Sequence, residues 1–148
     1  MNPADKPILN RLQKDLPLIK RPWKAVAAEL NIDEGLILRR IAFLKKKGLI
    51  RRIAASINPR KIGFVSTLVA VKVSPKHLDK AARKINFYPE VTHNYSRDSE
   101  YGLWFTLVAR NKKRIAQIIS RLKKDKNIEE IFELPVVRLF KLEVNFKV

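Results

Sequence analysis

The stretch 91–106, Val-Thr-His-Asn-Tyr-Ser-Arg-Asp-Ser-Glu-Tyr-Gly-Leu-Trp-Phe-Thr, constrains this chain more than any other. Two runs rich in β-branched and aromatic residues flank a short polar segment, the pattern of an antiparallel hairpin. Side chains along a strand alternate between faces, so His93, Tyr95 and Arg97 point the same way. With Asp98 and Ser99 as a two-residue turn, His93 would lie across from Trp104, Tyr95 from Gly102, and Arg97 from Glu100. One face then gathers an imidazole, a phenol, a guanidinium and an indole. The other carries Leu103 and Phe105, which is core chemistry. A domain does not need the first set in order to fold, and the pattern predicts a binding face.

Around this hairpin the periodicity predicts an α+β chain of two domains. Ile8, Leu9 and Leu12 recur at helical spacing, and Pro17 stops that helix. Pro22 can open a second helix at its first position, where the missing N–H costs nothing. A third, from about Asp33 to Lys47, places Ile37, Ile41 and Leu44 on one face and ends at Gly48. Residues 49–57 alternate like a wing, which makes 1–60 a winged helix-turn-helix domain. Residues 61–148 read β-α-β-β-α-β, the ferredoxin-like pattern: a strand over Phe64–Val73, a helix after Pro75, the hairpin, a helix over Lys112–Lys124, and a last strand. That strand starts at Ile128–Phe132, and Val136–Phe146 runs on along an edge. A four-stranded sheet with helices on one side leaves its other face uncovered, so the domain is expected to pair with a second subunit.

Charge narrows the partners. The formal net charge of +18 calls for an anion. It is spread evenly, with 13 basic and 5 acidic side chains in residues 1–58 and 19 and 9 in residues 59–148. A DNA-binding head on a neutral sensor would concentrate the excess in the head. A polyanionic small molecule suits the even spread as well as DNA does, and solvated Lys-rich helix faces are the plain alternative. A recognition helix meets base edges with its N-terminal residues. Here those are Asp33 and Glu34, which favour the helix dipole but repel phosphate. DNA is therefore not the expected partner. The absence of Cys excludes disulfides, thiolate zinc sites and Cys-held iron–sulfur clusters. No apolar run approaches the roughly 20 residues that cross a bilayer, and Met1 to Asp5 lacks signal-peptide character. A cytoplasmic protein with no membrane partner is expected.

The chain resembles the siroheme decarboxylases, a branch of the Lrp/AsnC architecture. The resemblance rests on His93-Asn94-Tyr95-Ser96-Arg97 and Tyr101-Gly102-Leu103-Trp104-Phe105-Thr106 in the hairpin. It continues in Leu16-Pro17-Leu18, Arg21-Pro22, Gly48-Leu49-Ile50-Arg51-Arg52-Ile53-Ala54-Ala55, Asn58-Pro59-Arg60-Lys61-Ile62-Gly63-Phe64, Leu134-Pro135 and Leu139-Phe140-Lys141. The wording leans toward the A-type subunit. Gly102 departs from the family pattern, which usually has Asn there, and in the expected pairing this would either remove a polar contact or leave room beside Tyr95.

The resemblance implies a carbon–carbon lyase that removes carbon dioxide from two acetate side chains of siroheme, giving 12,18-didecarboxysiroheme in heme or heme d1 biosynthesis. It implies no added cofactor, because the iron enters with the substrate. A paralogous subunit, or a second copy of the chain, would be the protein partner. His93 would face the tetrapyrrole, either as an axial iron ligand through a neutral ring nitrogen or as a proton donor, a role Tyr95 could share. Arg97 would clamp a carboxylate with its planar fork, unless it only pairs with Glu100 across the turn. Trp104 would form a flat wall against the macrocycle, or else belong to the core. Arg51 and Arg52, between the domains, and Arg138 on the last strand are further candidates for substrate carboxylates. In a wing strand Arg51 and Arg52 point to opposite faces, so only one of them should reach a given ligand. The alternative reading is an Lrp/AsnC-type DNA-binding regulator, sensing a tetrapyrrole.

Overall fold

A computed structural model describes residues 2–141, 146 and 148. Its contacts divide the chain into two compact units, Met1–Ala55 with Lys141–Val148, and Ser56–Phe140. The expected division after residue 60 did not foresee that the chain's end joins the first unit. There the Phe146 N–H donates to Gln13 Oε1, and the Val148 N–H to Asn10 Oδ1.

The first unit holds α1 (Asp5–Leu12), α2 (Pro22–Leu30) and α3 (Glu34–Lys46). Pro22 opens α2, and Asn31 closes it in the left-handed region at φ 51°. Asp33 caps α3 by accepting the Leu36 N–H at 2.8 Å, and Gly48, at φ 73°, ends the turn that follows. Ile8, Val26, Ile37 and Leu44 are fully buried and make the core, with Trp23 packed against it. A buried ion pair anchors the bundle. Asp5 is buried, and its carboxylate accepts two hydrogen bonds from Arg40, at 2.8 and 2.9 Å. The wing does not form as a strand: residues 51–58 carry no strand pairing. Among the described residues this run finds no ladder to join, and 49–57 holds no second arm of its own.

The second unit contains β1 (Val65–Lys72), α4 (Leu78–Asn86), β2 (Val91–Ser96), β3 (Leu103–Ala109), α5 (Lys112–Leu122) and β4 (Glu130–Pro135). The sheet order is β2-β3-β1-β4 and every pairing is antiparallel. This is the expected α+β, ferredoxin-like β-α-β-β-α-β arrangement. Helices α4 and α5 cover one face, where Ala81, Ile85, Ile115, Ile118 and Leu122 pack on Val69, Val71, Phe105 and Leu107. No element of the unit covers the other face, and Leu68, Phe132 and Leu134 are exposed on it. The last strand is shorter than expected. It ends at Pro135, and residues 136–141 are unpaired, so Arg138 does not lie on a strand. The rest of the expected extension, at 142–145, lies outside the described residues. Among the described residues no helix is long and apolar enough to cross a membrane.

Candidate functional site: the open face of the hairpin

The hairpin forms, but two residues out of the expected register. Tyr95 pairs with Trp104 and His93 with Thr106, while the Arg97 N–H donates to Gly102 O at 2.9 Å. The connection is therefore the four-residue loop Asp98–Tyr101. A two-residue hairpin turn demands positive φ at its centre, and neither Asp98 nor Ser99 adopts it. Ser99 instead donates to Tyr101 O at 2.8 Å, folding the longer loop on itself. A slip of two residues preserves face parity, so the expected face survives although each expected pair is replaced. Gly102 consequently sits across from Arg97 and not beside Tyr95. A Cβ there would meet Leu78 Cδ1 at 3.1 Å, so the missing side chain concerns packing against α4 and not space for the phenol.

A bulge at Thr92 sets the outward aim of His93. Register shifts between Val91 and His93, so Val91 pairs with Leu107 and packs on the helix-side core, while His93 turns to the open face. His93 Nδ1 lies 3.1 Å from Thr92 Oγ1, which leaves Nε2 as the outward nitrogen. The imidazole stacks on Tyr95, with ring centres 6.1 Å apart and planes at 25°. The Arg97 guanidinium carbon lies 5.7 Å from the centre of the Trp104 ring. Trp104 is half-buried on the open face, and its indole N–H donates to Tyr101 O at 2.8 Å. His93, Tyr95, Arg97 and Trp104 thus form one continuous surface. Arg97 makes no ion pair among the described residues, because Glu100 turns to Lys72 at 2.7 Å instead.

The other expected residues are placed elsewhere. Arg51 and Arg52 are exposed, outside any strand, and belong to the first unit. Arg138 is exposed, with its guanidinium 4.8 Å from the Phe140 ring. Among the described residues no cluster of three or more His, Asp or Glu could hold a metal ion. Several neighbours escaped the sequence reading. Tyr101 donates to Glu130 Oε2 at 3.0 Å and meets the Phe132 ring edge-to-face at 5.4 Å. Burial, then the Glu130 carboxylate, raises the Tyr101 pKa above that of an ordinary phenol. Glu100 likewise raises that of Lys72. The available signal was Lys72 itself, a charge closing the run Val-Ser-Thr-Leu-Val-Ala-Val-Lys on the parity of Leu68 and Ala70.

At the head, the acidic tip of α3 is engaged locally. Asp33 caps the helix, and Glu34 accepts from Arg21 at 2.8 Å.

Residues 5–51 match the siroheme decarboxylase NirDL-like HTH domain, and residues 61–141 match the AsnC-like ligand binding domain. The siroheme decarboxylase alpha subunit of Desulfovibrio desulfuricans is 35% identical over 147 residues, covering 99% of this chain and 84% of that protein. This chain belongs to the siroheme decarboxylase family. The crystal structure of the siroheme decarboxylase NirDL in co-complex with an iron-uroporphyrin III analogue is 33% identical, with a TM-score of 0.69. It matches 95% of this chain, which spans only 46% of it. E. coli AsnC shares the fold alone, at a TM-score of 0.84 and 18% identity over 97% of both chains. The regulator alternative is the less supported reading.

Proposed function

We propose that this chain is an alpha-type (A-type) subunit of a siroheme decarboxylase and takes siroheme against the face built by His93, Tyr95, Arg97 and Trp104. The observation that carries the reading is this gathering of four chemically capable side chains on an uncovered sheet face, in a chain of that family. Siroheme is an iron macrocycle ringed by carboxylates. Its faces call for flat apolar partners and an imidazole, and its rim for cations.

The chemistry runs without electron transfer. Protonation of the pyrrole carbon that bears an acetate makes the ring an electron sink. The bond from methylene to carboxylate breaks, its electron pair moves into the ring, and carbon dioxide leaves. A proton then adds to the exocyclic methylene while the ring proton departs, which leaves a methyl group. Each acetate consumes one proton net and releases one carbon dioxide, so the reaction calls for no added cofactor. His93 Nε2, with Tyr95 behind it, is the outward acid, and Arg97 holds a carboxylate so that the acetate stays in line. If Nε2 instead ligates the iron, Tyr95 carries the proton.

A paralogous subunit, or a second copy, completes the assembly in the cytoplasm. Exposed Leu68, Phe132 and Leu134 on the β1–β4 side of the open face offer it an apolar seat, separate from the ligand residues on β2 and β3. No DNA partner is assigned to the head. Anaerobic titration of siroheme, with and without a co-expressed paralogue, should shift the Soret band. Tight, sequence-specific DNA binding at physiological salt, with no tetrapyrrole spectrum, would overturn the proposal in favour of a regulator.

A further inference from the structure

Lys72 ends β1 on the open face, in register with Glu130 of β4. Its ammonium lies 2.7 Å from Glu100 Oε1 and 3.7 Å from Glu130 Oε1. Glu100 sits on the hairpin loop with 66% of its side chain exposed, against 30% for Lys72. Arg97 follows β2 into the same loop, and Lys72, Arg97 and Glu100 border one open recess of about 700 Å³ at the loop end of the sheet, which Leu78, Ser96 and Glu129 also line; of the four face residues Arg97 alone reaches it. Two cations from different strands thus flank one opening. One has no ion-pair partner among the described residues, and the other is held by the protein's own carboxylates, Glu100 in contact and Glu130 farther off.

That carboxylate is easily exchanged. An exposed pair of this kind favours its partner by no more than about fivefold. The loop's other anchors do not depend on it: Tyr101 remains tied to Glu130 and Phe132, and Trp104 to Tyr101 O. Glu100 can therefore swing out while the indole wall stays in place.

We propose that Lys72 is a further carboxylate-binding residue of this site, and that Glu100 is a resident stand-in displaced when a carboxylate-bearing ligand enters the recess. This rests on the tetrapyrrole reading and deepens it: Arg97 and Lys72 take separate carboxylate arms of one macrocycle, and the loop residue between them keeps the second cation covered until the ligand arrives. A surface ion pair that merely steadies the loop would show no such competition.

The probe is metal-free uroporphyrin III, an octacarboxylate porphyrin, titrated by its fluorescence into wild type, Glu100→Gln, Lys72→Met and the double variant. Asp79→Asn, an exposed change at the start of α4, controls for the loss of one negative charge. Glu100→Gln should bind up to about fivefold tighter and Lys72→Met at least as much weaker. The gain from Glu100→Gln should vanish in the Lys72→Met background, and Asp79→Asn should leave affinity unchanged. A gain that persists without Lys72, or that Asp79→Asn reproduces, would mean a long-range charge effect and overturn the exchange. So would wild-type affinity in Lys72→Met. Failure of every protein to bind overturns the tetrapyrrole reading together with this one, whereas binding without the Lys72 dependence overturns this one alone.

Discussion

Replacing Asp125 by Asn should loosen the turn that delivers β4 to the sheet. Asp125 is 7% exposed, and its carboxylate accepts from Lys84 Nζ at 2.8 Å, from the Asn127 N–H at 2.9 Å and from Asn127 Nδ2 at 2.7 Å. Lys84 first, then the Asn127 N–H, hold its pKa at about 2, down from the ordinary 3.8. At about 1.4 kcal/mol per pH unit, that gap corresponds to about 2 kcal/mol of folding free energy at neutral pH. Lys84 is half exposed, and solvent screening lowers the expectation to about 1–2 kcal/mol. The folded-state pKa is the depressed one, so the contribution is full above 3.8 and disappears as pH falls through about 2. Urea unfolding followed through Trp104, in a Trp23→Phe background, reports this unit alone. Asp125→Asn should lie about 1–2 kcal/mol below its parent near neutral pH, with roughly half that gap left near pH 3. No gap at neutral pH, or an undiminished one in acid, would refute the assignment.

Arg97→Ala should weaken uroporphyrin binding by about 1–3 kcal/mol, because a desolvated ligand carboxylate loses its partner; wild-type affinity by isothermal calorimetry would remove Arg97 from the site. Gly102→Asn must push Leu78 aside and should cost about 1 kcal/mol of stability in urea. Phe105→Ala empties the centre of the core beneath the hairpin, and a loss of about 3–5 kcal/mol is expected; a loss under about 1 kcal/mol in the same assay would show that the core refills.

The fold was legible because its elements obey simple periods. Pro22 and Gly48 punctuate the head, the alternation of Leu103, Phe105 and Leu107 fixes β3, and Ile115, Ile118, Ile119 and Leu122 mark the buried stripe of α5. Which face of the hairpin gathers His93, Tyr95, Arg97 and Trp104 was also legible, since parity survives a slip of two residues. The pairs themselves were not, because loop length depends on backbone dihedrals that Asp-Ser does not announce. The bulge at Thr92 was equally hidden, being set by the demand of Val91 for the core. Alternation in 49–57 suggested a strand, but a strand needs a partner that no local pattern supplies. Lys72, Glu100, Tyr101 and Glu130 meet across three segments far apart in sequence, so only the assembled sheet brings their roles together.

The most direct test of the central claim is product mass after anaerobic incubation of siroheme with the protein and its co-expressed paralogue, wild type against His93→Ala. Wild type should yield siroheme lacking two carbon dioxide units, with turnover lowered by roughly 10²–10⁴-fold in His93→Ala if the imidazole is the proton donor. Should it be the iron ligand, the variant's bound spectrum should change as well. Unchanged turnover with an unchanged spectrum in His93→Ala, or no decarboxylated product from the wild-type pair, would contradict a siroheme site on this face.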